Sequence, residues 1–247
     1  MRMHKHLQDI DEMLDFLNLH TMGRRLKAIM KSNNYSSYDP LQLFREILSE
    51  EYIFRLNASI DRNLKLAKLR GSDAQIGNLK TGNGRLYQDS TIKQLSSLEF
   101  IADRKNIAIF GESDAGKTYA SKALGIEACR NGFRTLFTDF TDLIDYLYIL
   151  KSTDMNKYKK KLNFYSRIQV LILDDFLITH LGNDRSLILF SLIKNRDELG
   201  TSTIITSQYD PRTWISFLES DGNFAMGDSI RRRLLNNGYT LLIEKAV

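Results

Sequence analysis

An eight-residue run, Gly111 to Thr118, constrains this sequence more than any other feature. It reads GESDAGKT and fits the pattern G-x-x-x-x-G-K-[ST]. An apolar run typical of a strand, Asn106–Phe110, comes directly before it, and a helical segment, Tyr119–Cys129, comes directly after it. At such a junction the backbone N–H groups point at phosphate groups. The run is therefore predicted to be a phosphate-binding loop, or P-loop; a plain glycine-rich turn is the alternative.

The residue types in this loop predict a site for ATP with Mg²⁺. Lys117 is expected to reach the β- and γ-phosphates, which makes it a catalytic candidate, and the hydroxyl of Thr118 suits Mg²⁺. Asp114 stands where glycine is common; aspartate tolerates a left-handed backbone, but its charge would lie near the phosphates. The predicted nucleotide-binding residues are Gly111, Glu112, Ser113, Asp114, Ala115, Gly116, Lys117, Thr118 and Tyr119.

A second apolar run, Val170–Leu173, ends in two carboxylates, Asp174 and Asp175. In P-loop proteins such a strand delivers one acid to the Mg²⁺ shell. A second acid beside it can orient and activate a water molecule. We therefore predict that Asp174 binds the metal and that Asp175 activates the water; an ordinary turn is the alternative.

A third apolar run, Thr203–Thr206, also ends in polar side chains. In a parallel sheet these side chains would emerge at the same edge as the phosphates. Thr206 and Ser207 are therefore predicted to be catalytic residues that sense the γ-phosphate or hold the attacking water. The alternative is a polar exit from a strand.

The order of apolar runs and helical patterns predicts the fold class and the domains. Residues 1–70 show helical spacing, and Asp39 followed by Pro40 is typical of a helix start. An apolar stripe, Leu41 to Leu64 at spacings of three to four, predicts that this helix is long. Residues 71–85 contain four glycines and are predicted to be a linker, and residues 86–247 alternate strands with helices, as in a mainly parallel α/β sheet. The predicted strands are Ile107–Phe110, Thr135–Thr138, Val170–Leu173, Thr203–Thr206 and Thr240–Ile243.

Composition limits the partners, the metal sites and the cellular location that can be expected. The net charge of +5 favours polyanionic partners without establishing them. The only cysteine, Cys129, excludes an intrachain disulfide, and the four histidines show no metal-ligand spacing, so no metal beyond Mg²⁺ is assigned. No apolar run is long enough to span a membrane and no secretory signal is present, so a cytoplasmic location is expected.

Three consecutive arginines, Arg231 to Arg233, lie in a helix-like stretch near the carboxyl terminus. An arginine inserted into the site of a neighbouring subunit would stabilise charge on the transferred phosphoryl group. A solvated basic face is the alternative.

With these motifs the whole chain resembles the IstB-type helper ATPases of bacterial insertion sequences, relatives of the DnaC and DnaI helicase loaders in the AAA+ class. LEFIADRKNIAIFGESDAGKT is similar to the family's approach to its P-loop, VLILDDF to its acidic strand, and TIITSQYDPRTW to its sensor strand. DSIRRRLLNNG resembles the family's D-x-(I/L)-x-x-R-L ending, and Arg233 falls on the arginine of that pattern. The resemblance implies that Arg233 is the arginine acting in trans.

The resemblance also implies a fold and a role. The expected fold is a P-loop AAA+ core with a parallel sheet, a small helical amino-terminal domain for DNA or partner binding, and a reduced or absent carboxyl-terminal lid, since only 14 residues follow Arg233. The implied role is a homo-oligomer, ring or spiral, that binds double-stranded DNA and recruits the transposase of the same element. A helicase loader and an ATP-gated DNA scaffold with negligible hydrolysis are the alternatives.

Two basic clusters support DNA binding physically, although each alone could be a solvated face. The first is predicted on one side of a helix because its members are three residues apart. The second falls between the second and third predicted strands. Both would contact phosphates and give salt-dependent binding. The first cluster is Arg62, Lys65 and Lys68, and the second is Lys157, Lys159, Lys160 and Lys161.

Overall fold

A computed structural model describes residues 2–32, 39–82, 84–218, 224–236 and 238–245. The helices are α1 (Arg2–Phe16), α2 (His20–Lys31), α3 (Pro40–Leu66), α4 (Asp89–Ser96), α5 (Glu99–Ala102), α6 (Lys117–Arg130), α7 (Phe140–Thr153), α8 (Met155–Arg167), α9 (Asn183–Leu199), α10 (Trp214–Leu218) and α11 (Phe224–Leu235). The strands are β1 (Arg85–Leu86), β2 (Asn106–Phe110), β3 (Thr135–Asp139), β4 (Val170–Asp174), β5 (Ser202–Ser207), β6 (Gly238–Leu242) and β7 (Glu244–Lys245). Within these ranges no helix has the length and apolarity that a membrane crossing needs.

The main sheet has five parallel strands in the order β3-β4-β5-β2-β6. The five strands predicted from apolar runs are confirmed, with ends shifted by one or two residues. Alternate residues along β2, β3, β4 and β5 pack on opposite faces, against α6 on one side and against α7, α9 and α11 on the other. In this order β5 lies between the P-loop strand β2 and the acidic strand β4.

The chain divides into two compact units, residues 1–62 and 63–247, so the division falls earlier than the predicted domain boundary. The predicted linker, residues 71–85, contributes Ala74 and Leu79 to the core of the second unit. Part of it forms a short 3-10 turn, Ile76–Asn78, and its last residue begins β1, which pairs with β7. This segment is therefore packed against the second unit rather than free; Asn83 lies outside the described residues.

In the first unit the predicted start of α3 is confirmed: Asp39 Oδ2 accepts hydrogen bonds from the N–H groups of Leu41 and Gln42. The long helix predicted from the apolar stripe is confirmed, but most residues of the stripe are exposed. Ile47 and Glu51 are the residues of α3 that are buried, and Glu51 accepts from the N–H of Met22 and from Arg55 Nε. The hydrogen bond from Arg55, opposed by burial, lowers the pKa of Glu51. The exposed members of the stripe are Leu41, Phe44, Leu48, Tyr52 and Leu56.

Candidate nucleotide site

The loop between β2 and α6 has the backbone that phosphate binding requires. Gly116 caps α6 with φ of +100°, and no side chain caps this helix end, so the first N–H groups of α6 are left for a ligand. At Gly111, a Cβ would lie 2.3 Å from the carbonyl oxygen of Ile243, so only glycine fits there. The buried Lys117 (7% exposed) donates from Nζ to the carbonyl of Glu112 at 2.7 Å. Gly116 and Lys117 line a cavity of about 350 Å³ together with Ser113, Asp114 and Thr118.

The charges around this cavity suit a triphosphate that arrives with a divalent cation. Burial lowers the pKa of Lys117, and the nearby carboxylates of Asp175, Asp174 and Asp114 oppose that shift. A phosphate group would supply the counter-charge that the buried ammonium needs. The carboxylates in turn need a cation between themselves and the phosphates.

The two predicted metal ligands lie side by side. Thr118 Oγ1 donates to the two carboxylate oxygens of Asp174, at 2.9 and 3.1 Å. Oxygen donors are the ligands that Mg²⁺ prefers, and proteins usually hold it through one or two of them while substrate phosphates supply others. Thr118 and Asp174 therefore fit a Mg²⁺ ion that also binds phosphate.

Asp175, the predicted water activator, opens onto the same cavity. Its φ is +55°, a conformation in the left-handed region that aspartate adopts more readily than most residues. The next residue anchors it, because Phe176 is fully buried against the rings of Phe140 and Trp214. Burial, with the neighbouring charges of Asp174 and Asp139, raises the pKa of Asp175.

The structure changes the assignment of Thr206 and Ser207, whose side chains are buried (0% and 1% exposed) and do not face the cavity. Thr206 Oγ1 donates to Asp174 at 2.6 Å and accepts from the N–H of Asp175 at 2.9 Å. Ser207 donates to the carbonyl of Phe176 at 3.1 Å. Thr206 thus positions the two acids, Ser207 is structural, and Gln208 is the polar residue after β5 that lines the cavity.

Tyr119 lines a cavity other than the one lined by the P-loop residues. Its hydroxyl accepts from Asn78 Nδ2 at 2.9 Å and from the N–H of Gln75 at 3.2 Å. The ring lines a second cavity of about 500 Å³ together with Asn78 and Tyr87. Sequence patterns gave no signal for this cavity, because Tyr119 meets residues some forty positions away.

Comparison with known proteins adds to this geometry. The sequence profile of IstB-like ATP binding proteins matches residues 12–245. This chain belongs to that family. A protein of Pseudomonas fluorescens, named for ATP binding in insertion sequence IS1162, is 30% identical over 68% of this chain and 71% of its own length. A Pseudomonas aeruginosa protein named for ATP binding in insertion sequence IS21 is 24% identical over 96% and 87%.

Solved structures agree on the fold. A DnaI structure matches with a TM-score of 0.58 and 21% identity over 71% of this chain and 92% of its own. A structure of the DnaC helicase loader matches with a TM-score of 0.55 and 23% identity over 70% and 97%. The second unit of this IstB-like protein thus shares the fold of these structures, a P-loop core built on a parallel sheet. The described chain after α11 consists of short strands rather than a helical lid.

The three arginines of α11 lie away from the P-loop of their own chain. Arg233 contacts Ser229, lies 3.4 Å from Asp197, and its carbonyl accepts from Asn106 Nδ2. Asn106 begins β2, so Arg233 is at the opposite edge of the sheet, about 13 Å of strand from Phe110. Arg231 and Arg232 both pair with Asp228, and Arg232 is the most exposed of the three (64%).

The first basic cluster does not form one helical face, contrary to the prediction. α3 ends at Leu66, and Lys68 sits in the turn after it with φ of +59°. The helix ends before Lys68 because Ala67 and Leu69, its two neighbours in sequence, are both buried in the core. Arg62, Lys65 and Lys68 are all exposed.

The four lysines of α8, Lys157, Lys159, Lys160 and Lys161, are all exposed. Lys157 forms an ion pair with Asp154 at 3.3 Å, and Lys161 lies over the ring of Phe164. In the described ranges no carboxylate pairs with Lys159 or Lys160. Tyr158, on the same helix, is buried.

Replacing Asp114 with glycine is expected to tighten ATP binding by about three- to tenfold. Asp114 has φ of +61°, which glycine adopts without the cost of about 1 kcal/mol that other residues incur. The change also removes a negative charge from the loop. Calorimetric titration checks this, and Asp114→Asn is the matched control because it removes the charge alone. Weaker or unchanged binding by Asp114→Gly would contradict the prediction.

Proposed function

We propose that this protein is an ATP-hydrolysing helper of DNA transposition that acts in the cytoplasm. The catalytic part rests on one set of hydrogen bonds. Thr206 donates to the carboxylate of Asp174 and accepts from the backbone N–H of Asp175. Asp174 also accepts from Thr118 of the P-loop. Such an arrangement is suited to metal-assisted attack of water on a phosphate. The insertion-sequence names of the relatives support the transposition part.

Each residue of the site has a defined task in this proposal. The amides of the loop and Lys117 bind the phosphates, and Thr118 and Asp174 hold Mg²⁺, which would neutralise charge on the phosphate oxygens. Asp175 takes a proton from the attacking water, and its raised pKa brings it closer to the operating pH. Gln208, which lines the same cavity, would contact the γ-phosphate. The adenosine occupies the neighbouring cavity beside Tyr87 and Tyr119.

The position of Arg233 supports an oligomer, a ring or a spiral. In its own chain Arg233 lies at the amino-terminal edge of the sheet, whereas the P-loop lies at the carboxyl-terminal edge. It could therefore meet a phosphate only in the site of a neighbouring subunit. There its guanidinium would stabilise the charge that develops during phosphoryl transfer.

Double-stranded DNA is proposed to bind along the exposed lysines of α8, with residues 1–70 as a further DNA- or partner-binding region. Arg62, Lys65 and Lys68 stay candidates as separate phosphate contacts rather than as one face. Binding of this kind is governed by phosphate charge and has little base specificity.

The double change Lys159→Ala with Lys160→Ala is expected to weaken duplex binding and to lower the salt slope by roughly 2, because each lost phosphate contact releases about one counterion fewer. Fluorescence anisotropy of a labelled duplex across salt concentrations measures both quantities. A matched control is Lys93→Ala with Lys194→Ala, which removes two exposed lysines elsewhere in the second unit. Equal slopes for the two double variants would reject the α8 site.

The whole role is tested by electron microscopy and co-purification. With ATP, Mg²⁺ and duplex DNA, the protein is expected to assemble on the duplex and to retain the transposase of its own element. If it retains a replicative helicase instead, it is a helicase loader. If it assembles but hydrolyses no ATP in the presence of DNA and transposase, it is an ATP-gated scaffold.

A further inference from the structure

Next to the P-loop, residues 81–82 and 85–87 pair with each other as the two arms of a hairpin. Gly82 and Arg85 exchange two backbone hydrogen bonds, at 2.9 and 3.1 Å, and Thr81 Oγ1 bonds both the N–H and the carbonyl of Tyr87. On its other side Arg85 pairs with Lys245 of β7. The backbone of Arg85 is thus held by two partners.

The side chain of Arg85 lies against the P-loop itself. A Cβ added to Gly116 would be 3.1 Å from Arg85 Nε and 3.2 Å from Cζ. Among the described residues, Arg85 alone lines both the phosphate cavity and the neighbouring cavity of Tyr87 and Tyr119. The guanidinium therefore stands at the junction between the two cavities.

The side chain of Arg85 is hydrogen-bonded to that of Tyr87, which is a neutral partner. No carboxylate within the described ranges pairs with Arg85. The phosphate cavity is lined by two carboxylates, Asp114 and Asp175, and by one other cation, Lys117. Lys117 reaches the cavity from the helix end, whereas Arg85 covers Gly116 from the hairpin. A guanidinium in this position offers several N–H donors in a fork that matches phosphate oxygens.

We propose that Arg85 is a nucleotide-positioning residue that binds the phosphate nearest the adenosine, at the junction of the two cavities. This rests on the proposed nucleotide site and assigns one of its contacts. That phosphate is common to ATP and ADP, so Arg85 holds both nucleotides equally. Lys117, whose charge interacts with that of Asp175, favours the triphosphate.

The test is calorimetric titration of ATP and of ADP, each with Mg²⁺, into the full chain and its variants. Arg85→Ala is expected to weaken both nucleotides alike, by about tenfold, the loss typical of one charge-assisted hydrogen bond. Arg85→Lys is expected to restore part of that loss, since it returns the charge without the fork. Lys117→Ala is expected to weaken ATP more than ADP. Arg130→Ala, at the exposed far end of α6, is the matched control and is expected to bind as the wild type does.

Four outcomes would overturn this assignment. If Arg85→Ala binds both nucleotides normally while Lys117→Ala does not, Arg85 is no nucleotide ligand and the proposed site stands. A loss confined to ATP would place Arg85 at the γ-phosphate instead. An equal loss in Arg85→Ala and Arg85→Lys, accompanied by a lower melting temperature in both, would show that Arg85 only supports the hairpin. Absence of ATP binding by the wild type would remove the site altogether.

Discussion

Asp175→Asn is expected to lower ATP hydrolysis by 100- to 1000-fold while ATP binding persists. The carboxylate is the group placed to accept a proton from the attacking water, and general bases of this kind contribute about 10²- to 10⁴-fold. Asparagine has nearly the same shape and also tolerates the left-handed backbone of residue 175, so the turn after β4 is expected to persist. Steady-state phosphate release and nucleotide titration measure the two effects separately.

The pH dependence of hydrolysis provides a second measurement on the same variant. Burial and the charges of Asp174 and Asp139 raise the pKa of Asp175 above the ordinary aspartate value. Because the base must be deprotonated, wild-type activity is expected to fall on acidification at a higher pH than an ordinary aspartate would give. The residual rate of Asp175→Asn is expected to be flat over that range. Equal hydrolysis by wild type and variant would show that Asp175 is not the base.

Arg233→Ala is expected to lower hydrolysis by about 1000-fold, the lower end of what an inserted arginine contributes. ATP binding to the single subunit is expected to stay within twofold, because Arg233 lies at the far edge of its own sheet. The matched control is Arg232→Ala, an adjacent and more exposed arginine, whose loss is expected to change the rate less than threefold. Phosphate release in the presence of DNA measures both variants.

Mixing subunits distinguishes an arginine that acts in trans from one that supports the fold. Lys117→Ala subunits keep Arg233 but cannot bind ATP well, and Arg233→Ala subunits keep the P-loop. Each is inactive alone, and a mixture is expected to regain part of the wild-type rate, because a complete site forms where one meets the other. A mixture as inactive as its components would contradict action in trans, and a strong loss in Arg232→Ala would transfer the role to that residue.

The strands and the nucleotide loop could be predicted because short-range signals agree there. Val170–Leu173 is uniformly apolar, as expected of a parallel strand buried on both faces, and polar residues mark its end. The P-loop combines fixed spacing with the strand before it and the helix after it. The adjacency of Thr118 and Asp174 follows from parallel strands ending at one edge.

Other features depend on contacts that no local pattern reveals. The apolar residues of α3 occur on more than one side of the helix, including Leu48, Ile53 and Phe54, so spacing could not show that Ile47 faces the core. The inward direction of Ser207 depends on the carbonyl of Phe176, thirty-one residues away. The backbone hydrogen bonds between Gly82 and Arg85 were also missed, because the glycines of residues 71–85 favoured a linker instead.

Thr206 gives the site a further property. Its single hydroxyl fixes the side chain of one acid and the backbone of the next, and it belongs to the strand between them and the P-loop. Any movement of β5 along its axis would therefore disturb metal coordination and proton acceptance in the same event. A partner that pulls on this strand could switch hydrolysis off without touching the nucleotide.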